Sequence, residues 1–253
     1  MAKYARNISS IGLYHVMIRG VNKQDIFYDT GDRVRFLKLI EQYIQKYNCK
    51  VLAYCLMTNH VHILIQDKNK NLSILMQNIV GMYARYFNSK YERVGHLFQE
   101  RFKSEVVHDQ KYLMSLVRYI HRNPEKAKID KVETYRWSSY KEYLGKEIII
   151  DRKYILNLIN ADYDVAIKEF IEFNKINDRK EYLEIDNSRR LTDGEAKKKI
   201  IEKTGITDVS TIRKLNLPIR HTYIKEIKKI DRITISQISK IIGISRTTII
   251  KIG

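Results

Sequence analysis

Two apolar, β-branched runs separated by only two polar residues constrain the fold of this chain more than any other feature. The first covers residues 51–57 and the second residues 60–66, with Thr58-Asn59 between them. Runs of this length and composition are typical of β-strands, and so short a separation predicts a tight hairpin. The chain is therefore expected to build an antiparallel sheet around this pair.

The second run carries His60 and His62. Successive side chains of a strand point to opposite faces, so histidines at alternate positions share one face. Two imidazoles held side by side on a rigid strand can bind one divalent metal ion. The triplet alone leaves a second interpretation open, in which both rings are hydrogen-bonded to neighbours inside an ordinary sheet.

The order of the predicted elements favours one fold class. A strand is predicted over residues 13–19, and apolar residues at helical spacing predict helices over residues 32–47 and 72–87. A strand over residues 98–107 completes the order strand, helix, strand, strand, helix, strand. This order is the split βαβ arrangement of ferredoxin-like folds. We therefore expect an α+β domain in which helices pack on an antiparallel sheet.

A third helix is predicted over residues 109–122, with its first residue, an aspartate, as the N-cap and Pro124 ending it. Tyr112, Tyr119 and Asn123 lie on one flank of this helix, because positions three, four and seven apart share a side. A helix flank that is simply buried does not need a tyrosine and an asparagine one turn apart. Their placement indicates a possible site.

If the histidine strand lies beside this helix, a metal on His60 and His62 can take the Asn123 oxygen as a third ligand, and Tyr119 can reach the same substrate. A phenol has an ordinary pKa of about 10 and is a poor nucleophile at neutral pH. It attacks a phosphodiester only when an ion such as Mg²⁺ or Mn²⁺ polarises the phosphate. The alternative is that Tyr119, one of 18 tyrosines, only packs its ring and hydrates its hydroxyl.

The charge of the chain points to a polyanionic partner. Its formal net charge is +18 and its pI is near 9.7, which favours nucleic acid first and an anionic membrane surface second. The many tyrosines suit stacking on unpaired bases, although lysine and tyrosine counts can also follow genome composition. Cys49 and Cys55 show neither metal-ligand spacing nor a disulfide framework. With no signal-peptide core and no run long enough to span a bilayer, we expect a cytoplasmic protein without a membrane partner.

Three parts are expected along the chain: a first domain over residues 1–145, a helical connecting segment over 146–190, and a small helical domain over 191–253. The last part reads as a helix-turn-helix, in which a glycine turn separates two isoleucine-rich helices. Residues 220–253 contain eight Lys or Arg against two Asp or Glu, which favours contact with duplex DNA. A small three-helix unit that only packs against a partner protein looks similar.

The start of the last helix supplies the candidate DNA contacts of this domain. They are Arg246, Thr247 and Thr248, which follow a serine suited to cap the helix. At this position side chains can face base edges or phosphates.

Five spaced motifs carry a resemblance to a known family. They are residues 14–27 (YHVMIRGVNKQDIF), 57–62 (MTNHVH), 95–104 (GHLFQERFKS), 119–124 (YIHRNP) and 137–140 (WSSY). In this order and spacing, over about residues 12–144, the chain resembles the REP-associated tyrosine transposases, which are related to the IS200-like single-tyrosine HUH transposases. The helical tail resembles, less specifically, the helix-turn-helix extension of some members.

The resemblance implies a metal-dependent single-strand DNA endonuclease and strand transferase that cuts near DNA hairpins through a covalent 5′-phosphotyrosine. His60 and His62 match the HUH pair, Tyr119 matches the nucleophile, and Asn123 matches the polar third ligand to Mg²⁺ or Mn²⁺. The resemblance also favours a monomer over a homodimer.

Basic residues within the matching motifs are the candidate contacts to a hairpin or its flanking strand. They are Arg19, Lys23, Arg101 and Lys103. Two other hypotheses remain: a DNA-binding regulator derived from a transposase and lacking cleavage, and a ribonuclease or RNA-binding protein.

Overall fold

A four-stranded antiparallel sheet lies at the centre of the first part of the chain. In the computed structural model, which describes residues 9–145, 148–176, 191–230 and 233–252, the strands have the order β2-β3-β1-β4. Their bounds are β1 Leu13–Arg19, β2 Lys50–Leu56, β3 His60–Gln66 and β4 Lys103–Val106. The two strands of the predicted hairpin, β2 and β3, pair from Lys50 opposite Gln66 to Leu56 opposite Val61, with a register shift between Val51 and Ala53.

Three long helices accompany the sheet: α1 Thr30–Lys46, α2 Leu72–Lys90 and α3 Gln110–Lys126. Helices α1 and α2 connect the strands as predicted, and they pack against each other. The order β1, α1, β2, β3, α2, β4 and the strand order together confirm the ferredoxin-like α+β fold.

Strand pairing fixes which side chains share a face of the sheet. Residues directly opposite each other in an antiparallel pair lie on the same side. Arg19 is opposite His60 and Met17 is opposite His62, while Val61 and Ile63 alternate to the other face. Helix α3 lies on the histidine face, because its Tyr119 ring contacts the ring of His62.

The predicted start of the fourth strand is wrong. Residues 98–102 are not a strand; Phe98 forms an isolated bridge with Gly20, and the Gln99 amide donates to the Arg19 carbonyl at 2.9 Å. Phe98 and Phe102 are both buried at 8% exposure. Their apolar pattern reflects a loop anchored in the core, which a strand pattern does not distinguish.

The predicted end of α3 is also wrong. The Asp109 side chain caps the helix as expected, accepting from the Tyr112 amide at 2.7 Å. Pro124, however, lies inside the helix, which continues to Lys126. Proline lacks an amide hydrogen and removes one helical bond, but the Ala127 amide still donates to the Asn123 carbonyl at 3.0 Å. The helix ends one turn later than the sequence suggests.

Residues 148–176, predicted as part of a connecting segment, instead contribute to the same core as the sheet. The short helix α4 Tyr140–Leu144 is followed by α5 Arg152–Ile159 and α6 Tyr163–Lys175. Ile155, Leu156 and Phe170 are fully buried in the same core as the sheet. These helices belong to the first of two compact units, which lie within residues 1–185 and 186–253.

Every secondary-structure element in the described part of the second unit is a helix. Its elements are α7 Asp193–Thr204, a 3₁₀ helix Val209–Lys214, α8 Leu217–Lys228, α9 Ile235–Ile242 and α10 Arg246–Lys251. Gly243 at φ +71° turns the chain between α9 and α10, and the Ser245 hydroxyl caps α10 by accepting from the Thr248 amide at 3.1 Å. The helix-turn-helix arrangement agrees with the sequence, and isoleucines form its core.

Among the residues that the structure describes, no helix combines the length and the apolarity that a bilayer crossing needs.

Candidate active site

His60 and His62 lie together on the face of β3 that α3 covers. Their ring centroids are 5.1 Å apart, and the ring planes are nearly perpendicular at 85°. His62 is 1% exposed, whereas His60, at the end of the strand beside the hairpin turn, is partly buried. The pair is therefore held by the strand on one face, as alternation predicts.

One nitrogen of each ring is already engaged. The Nδ1 of His60 lies 2.7 Å from Asn59 Oδ1, and the Nδ1 of His62 lies 3.0 Å from His15 Nε2. An amide oxygen only accepts, so His60 Nδ1 donates, and the lone pair of a neutral His60 ring is then on Nε2. This is the nitrogen that can bind a metal ion.

Both rings are held neutral. Burial, followed by the positive charge of Arg19, lowers the pKa of His60 to about 4. Burial lowers the pKa of His62 well below its usual value, and the neighbouring His60 and His15 act in the same direction. Metal binding requires an unprotonated imidazole nitrogen, so neither ring must lose a proton at neutral pH before it can act as a ligand.

Tyr119 meets this histidine pair. Its ring centroid lies 5.4 Å from that of His62 and 6.1 Å from that of His15, edge-on in both cases. The Nζ of Lys126 lies 4.5 Å from the centroid of the same ring. Tyr119 is 3% exposed, so this tyrosine is packed among two imidazoles and one ammonium group.

Asn123 follows Tyr119 by one helical turn and is 8% exposed. Its Nδ2 donates to the Tyr119 carbonyl at 2.9 Å, which assigns the donor end of the amide to the helix and leaves Oδ1 as the end suited to a cation. In the described part of the chain, no three His, Cys, Asp or Glu side chains gather as a metal site.

Two of the predicted basic contacts lie beside the histidines. Arg19 is the register partner of His60. Lys23 lies in a 3₁₀ helix at φ +61°, and its carbonyl accepts from Asn59 Nδ2 at 3.1 Å. Because Asn59 also contacts His60, this loop and the hairpin turn are joined next to the site.

Lys103 lies on the histidine face of β4, opposite Met17, which is itself opposite His62. Arg101 is exposed on the loop that leads into β4. The structure thus brings Lys103 near the site, and Arg101 lies two residues before Lys103 in the chain.

The three contacts predicted in the second unit lie at the start of α10. The Arg246 guanidinium donates to Ser236 Oγ at 2.8 Å, and the hydroxyls of Thr247 and Thr248 lie 2.9 Å and 2.7 Å from Ser245 Oγ. Arg246 and Thr247 are exposed.

Sequence reasoning missed His15 and Lys126. His15 was part of a matching motif, but its strand reads as plain apolar sequence, and its contact with His62 depends on the register of β1 against β3. Lys126 falls beyond Pro124, where the helix was expected to have ended. A lone histidine in an otherwise apolar central strand is the signal that was available for His15.

Known proteins resemble this chain over the region that contains the site. Residues 9–123 match the family model "Transposase IS200 like". A Haemophilus influenzae protein named "Putative REP-associated tyrosine transposase" is 26% identical over 161 residues, which is 58% of this chain and 90% of that protein. A solved structure of a REP-associated tyrosine transposase bound to a REP hairpin shares 17% identity with a TM-score of 0.49, covering 58% of this chain and 87% of that one. The family match includes His60, His62, Tyr119 and Asn123.

Proposed function

We propose that this chain, whose residues 9–123 match the model of the IS200-like transposase family, is a metal-dependent single-strand DNA endonuclease and strand transferase. The observation that carries the proposal is the contact of the Tyr119 ring with His62, 5.4 Å between centroids. A potential nucleophile and a pair of neutral metal ligands therefore share one face of the sheet.

His60, His62 and the Asn123 amide oxygen are the groups that would hold the ion. Imidazole nitrogens suit later transition metals, whereas amide oxygens suit Mg²⁺ and Mn²⁺, so this mixed set fits Mn²⁺ at least as well as Mg²⁺. When bound, a divalent ion supplies Lewis-acid polarisation of the phosphodiester.

Tyr119 is the proposed nucleophile. Its phenol loses a proton, the oxygen forms a bond to phosphorus, and the bond from phosphorus to the 3′ oxygen breaks as the 3′ oxygen takes up a proton. The 5′ phosphate stays on the tyrosine, and the released fragment ends in a 3′ hydroxyl. A second 3′ hydroxyl can attack the same phosphorus and free the tyrosine, which rejoins a strand without ATP.

Two cations favour this step. Lys126 lies over the Tyr119 ring, and a nearby positive charge favours the phenolate over the phenol. Arg19 lies opposite His60, where a guanidinium can bind phosphate oxygens in a fork geometry.

Hairpin-bearing single-stranded DNA is the proposed substrate. The net charge of +18 suits a polyanion, and the solved relative is described as bound to a REP hairpin. Arg19, Lys23, Arg101 and Lys103 are the proposed contacts to the hairpin or to its flanking strand.

The test is a covalent adduct. Full-length protein is incubated with Mn²⁺ and end-labelled hairpin strands taken from repeats of its own genome. We expect a protein–DNA species that survives denaturation, that requires the ion, and that Tyr119→Phe abolishes. Tyr112→Phe, two turns earlier on α3, is the matched control and keeps the adduct. An adduct of equal yield with Tyr119→Phe overturns the mechanism.

A second candidate function is duplex DNA binding without cleavage, which the basic helix-turn-helix unit favours. Arg246, Thr247 and Thr248 would face the DNA, and Arg246 would exchange its bond to Ser236. This function predicts tight, metal-free duplex binding that Arg246→Ala weakens and that Lys197→Ala, at an exposed lysine of α7, leaves unchanged. Duplex binding of this kind together with no adduct would favour a regulator, and preference for a matched RNA hairpin would favour an RNA-directed role.

A further inference from the structure

His15 is a fully buried histidine on the central strand β1, at 0% exposure. Its neighbours along the strand are apolar, and its register partners are Leu64 on β3 and Glu105 on β4. A polar ring in such a position costs free energy unless its nitrogens are satisfied. The ring of His62 partners one of these nitrogens, and a carboxylate oxygen lies 3.9 Å from the other.

The His15 ring stacks on His62, with centroids 5.2 Å apart and planes inclined by 20°. The Nε2 of His15 lies 3.0 Å from the Nδ1 of His62. A neutral imidazole has one N–H and one lone pair, so this contact carries a single proton that belongs to one ring or to the other.

The owner of that proton decides whether His62 can bind a metal ion. If His15 Nε2 donates, the His62 proton lies on Nε2 and blocks the nitrogen that faces away from His15. If His62 Nδ1 donates, its Nε2 carries the lone pair, and the proton of His15 lies on Nδ1.

Glu105 selects between these two arrangements. Its Oε2 lies 3.9 Å from His15 Nδ1. A carboxylate attracts an N–H at this nitrogen and repels a lone pair, so it favours the His15 form protonated on Nδ1. His15 Nε2 is then an acceptor, and His62 Nδ1 must be the donor.

We propose that Glu105 and His15 form a relay that sets the tautomer of His62, leaving its Nε2 unprotonated and fixing its ring beside Tyr119. His15 is thus a positioning residue, and Glu105 acts through it. The relay rests on the proposed role of His62 as a metal ligand. Hydrogen-bonded partners behind a ligating histidine contribute about 10- to 100-fold in metal affinity.

Three substitutions separate this role from simple packing. His15→Leu removes the acceptor for the His62 proton. Glu105→Gln removes the negative charge that orients the His15 ring. Because the Glu105 side chain is 40% exposed, Glu105→Gln still tests the relay if His15→Leu does not fold. In His15→Gln the side-chain oxygen can still accept from His62 Nδ1, so this variant should behave like the wild type. Glu100→Gln, at an exposed acid outside the sheet, is the control.

The first readout needs neither metal nor DNA. In metal-free, full-length protein with ¹⁵N-labelled histidine, we expect His62 to be protonated on Nδ1, and we expect His15→Leu and Glu105→Gln to shift it toward Nε2. The second readout is the Mn²⁺ dissociation constant, which should rise about 10- to 100-fold in these two variants and stay unchanged in His15→Gln and Glu100→Gln.

The possible results distinguish a failure of the relay from a failure of the proposed function. Wild-type His62 protonated on Nε2, or Mn²⁺ binding and tautomer unchanged in His15→Leu and Glu105→Gln, overturns the relay. A His62 protonated on Nδ1 in a protein that binds no Mn²⁺ upholds the relay as a hydrogen-bond arrangement and overturns the metal-dependent function instead.

Discussion

Tyr119 is distinguished from the other tyrosines of the chain by the groups around its ring. The rings of His62 and His15 both contact it in an edge-to-face geometry, and the exposed side chain of Lys126 lies over it. Since Tyr119 is almost completely buried, a phosphodiester reaches its hydroxyl only if a surface group moves. Lys126 is exposed and charged, so in the proposed mechanism its ammonium group is available to a DNA phosphate beside this ring.

Lys126→Met should therefore slow adduct formation by about tenfold or more, because one cation near the developing charge is lost. Lys126→Arg should retain most of the rate, since the charge is kept. The initial rate of adduct formation at saturating Mn²⁺ measures this effect. Lys111→Met, an exposed lysine at the other end of α3, serves as the control, and equal rates for both methionine variants would remove Lys126 from the mechanism.

The sequence predicts which residues form the candidate site better than it predicts which of them contact each other. Alternation along one strand places His60 and His62 together, and helical spacing places Asn123 below Tyr119. The contact of His15 with His62 depends on how β1 and β3 pair, and no local pattern specifies that register. The roles of Tyr119 as nucleophile and of Asn123 as ligand stay predictions.

At the scale of elements, α1 and α2 are joined by one buried carboxylate. Asp32 is 0% exposed and accepts from the Tyr28 amide at 2.8 Å and from Tyr91 Oη at 2.8 Å. Lys90 of α2 donates to the same side chain at 2.8 Å, and Asp29 completes a capping box at the start of α1. The two helices that flank the sheet are thus fixed by polar contacts as well as by their apolar faces.

Asp32→Ala should lower the free energy of unfolding by about 2–3 kcal/mol at pH 7, because several buried donors lose a charged acceptor. Burial raises the pKa of Asp32, but the hydrogen bonds from Lys90, the Tyr28 amide and Tyr91 outweigh it and leave the pKa below its ordinary value. Its contribution is therefore complete above about pH 3.9 and declines as the pH falls below that value.

Urea denaturation of wild type and Asp32→Ala at pH 7 and at pH 3 measures this difference. We expect the difference in the free energy of unfolding between the two proteins to be smaller at pH 3 than at pH 7. Glu41→Gln, at an exposed acid on α1, should have the same free energy of unfolding as the wild type at both pH values. A difference between wild type and Asp32→Ala that grows toward low pH would contradict the assigned contacts.

The errors in element boundaries have local causes. Phe98 and Phe102 are buried and led to the prediction of a strand, because a loop whose side chains pack in the core has the same apolar sequence pattern as a buried strand. Pro124 imitates a helix end because its lost bond lies in the last turn, where only one carbonyl is affected. The additional turn carries Lys126, whose ammonium group lies over the Tyr119 ring.

At the scale of the whole molecule, we expect the excess of positive charge to govern the affinity for the proposed DNA substrate. A protein that neutralises roughly five phosphates of a single strand loses about a hundredfold in affinity when the salt concentration rises fourfold, with a logarithmic slope of about −3.5. The two compact units divide this charge, and residues 220–253 alone carry a net +6, from eight Lys or Arg and two Asp or Glu.

Arg101→Gln should make the salt slope for a hairpin strand shallower by about 0.7, the share of one phosphate contact. Lys153→Gln, at an exposed lysine of α5 outside the family match, should leave the slope unchanged. Fluorescence anisotropy over a salt series provides both slopes. An unchanged slope for Arg101→Gln would exclude this residue from the DNA contacts.

The central claim is that one particular tyrosine carries the cleaved strand. The most direct measurement is mass spectrometry of the protein after reaction with a hairpin strand and Mn²⁺, followed by nuclease and protease digestion. We expect a nucleotide linked through its 5′ phosphate to Tyr119, with a 3′ hydroxyl on the released fragment. Linkage to another residue such as Tyr112, or a fragment ending in a 3′ phosphate, would contradict the mechanism.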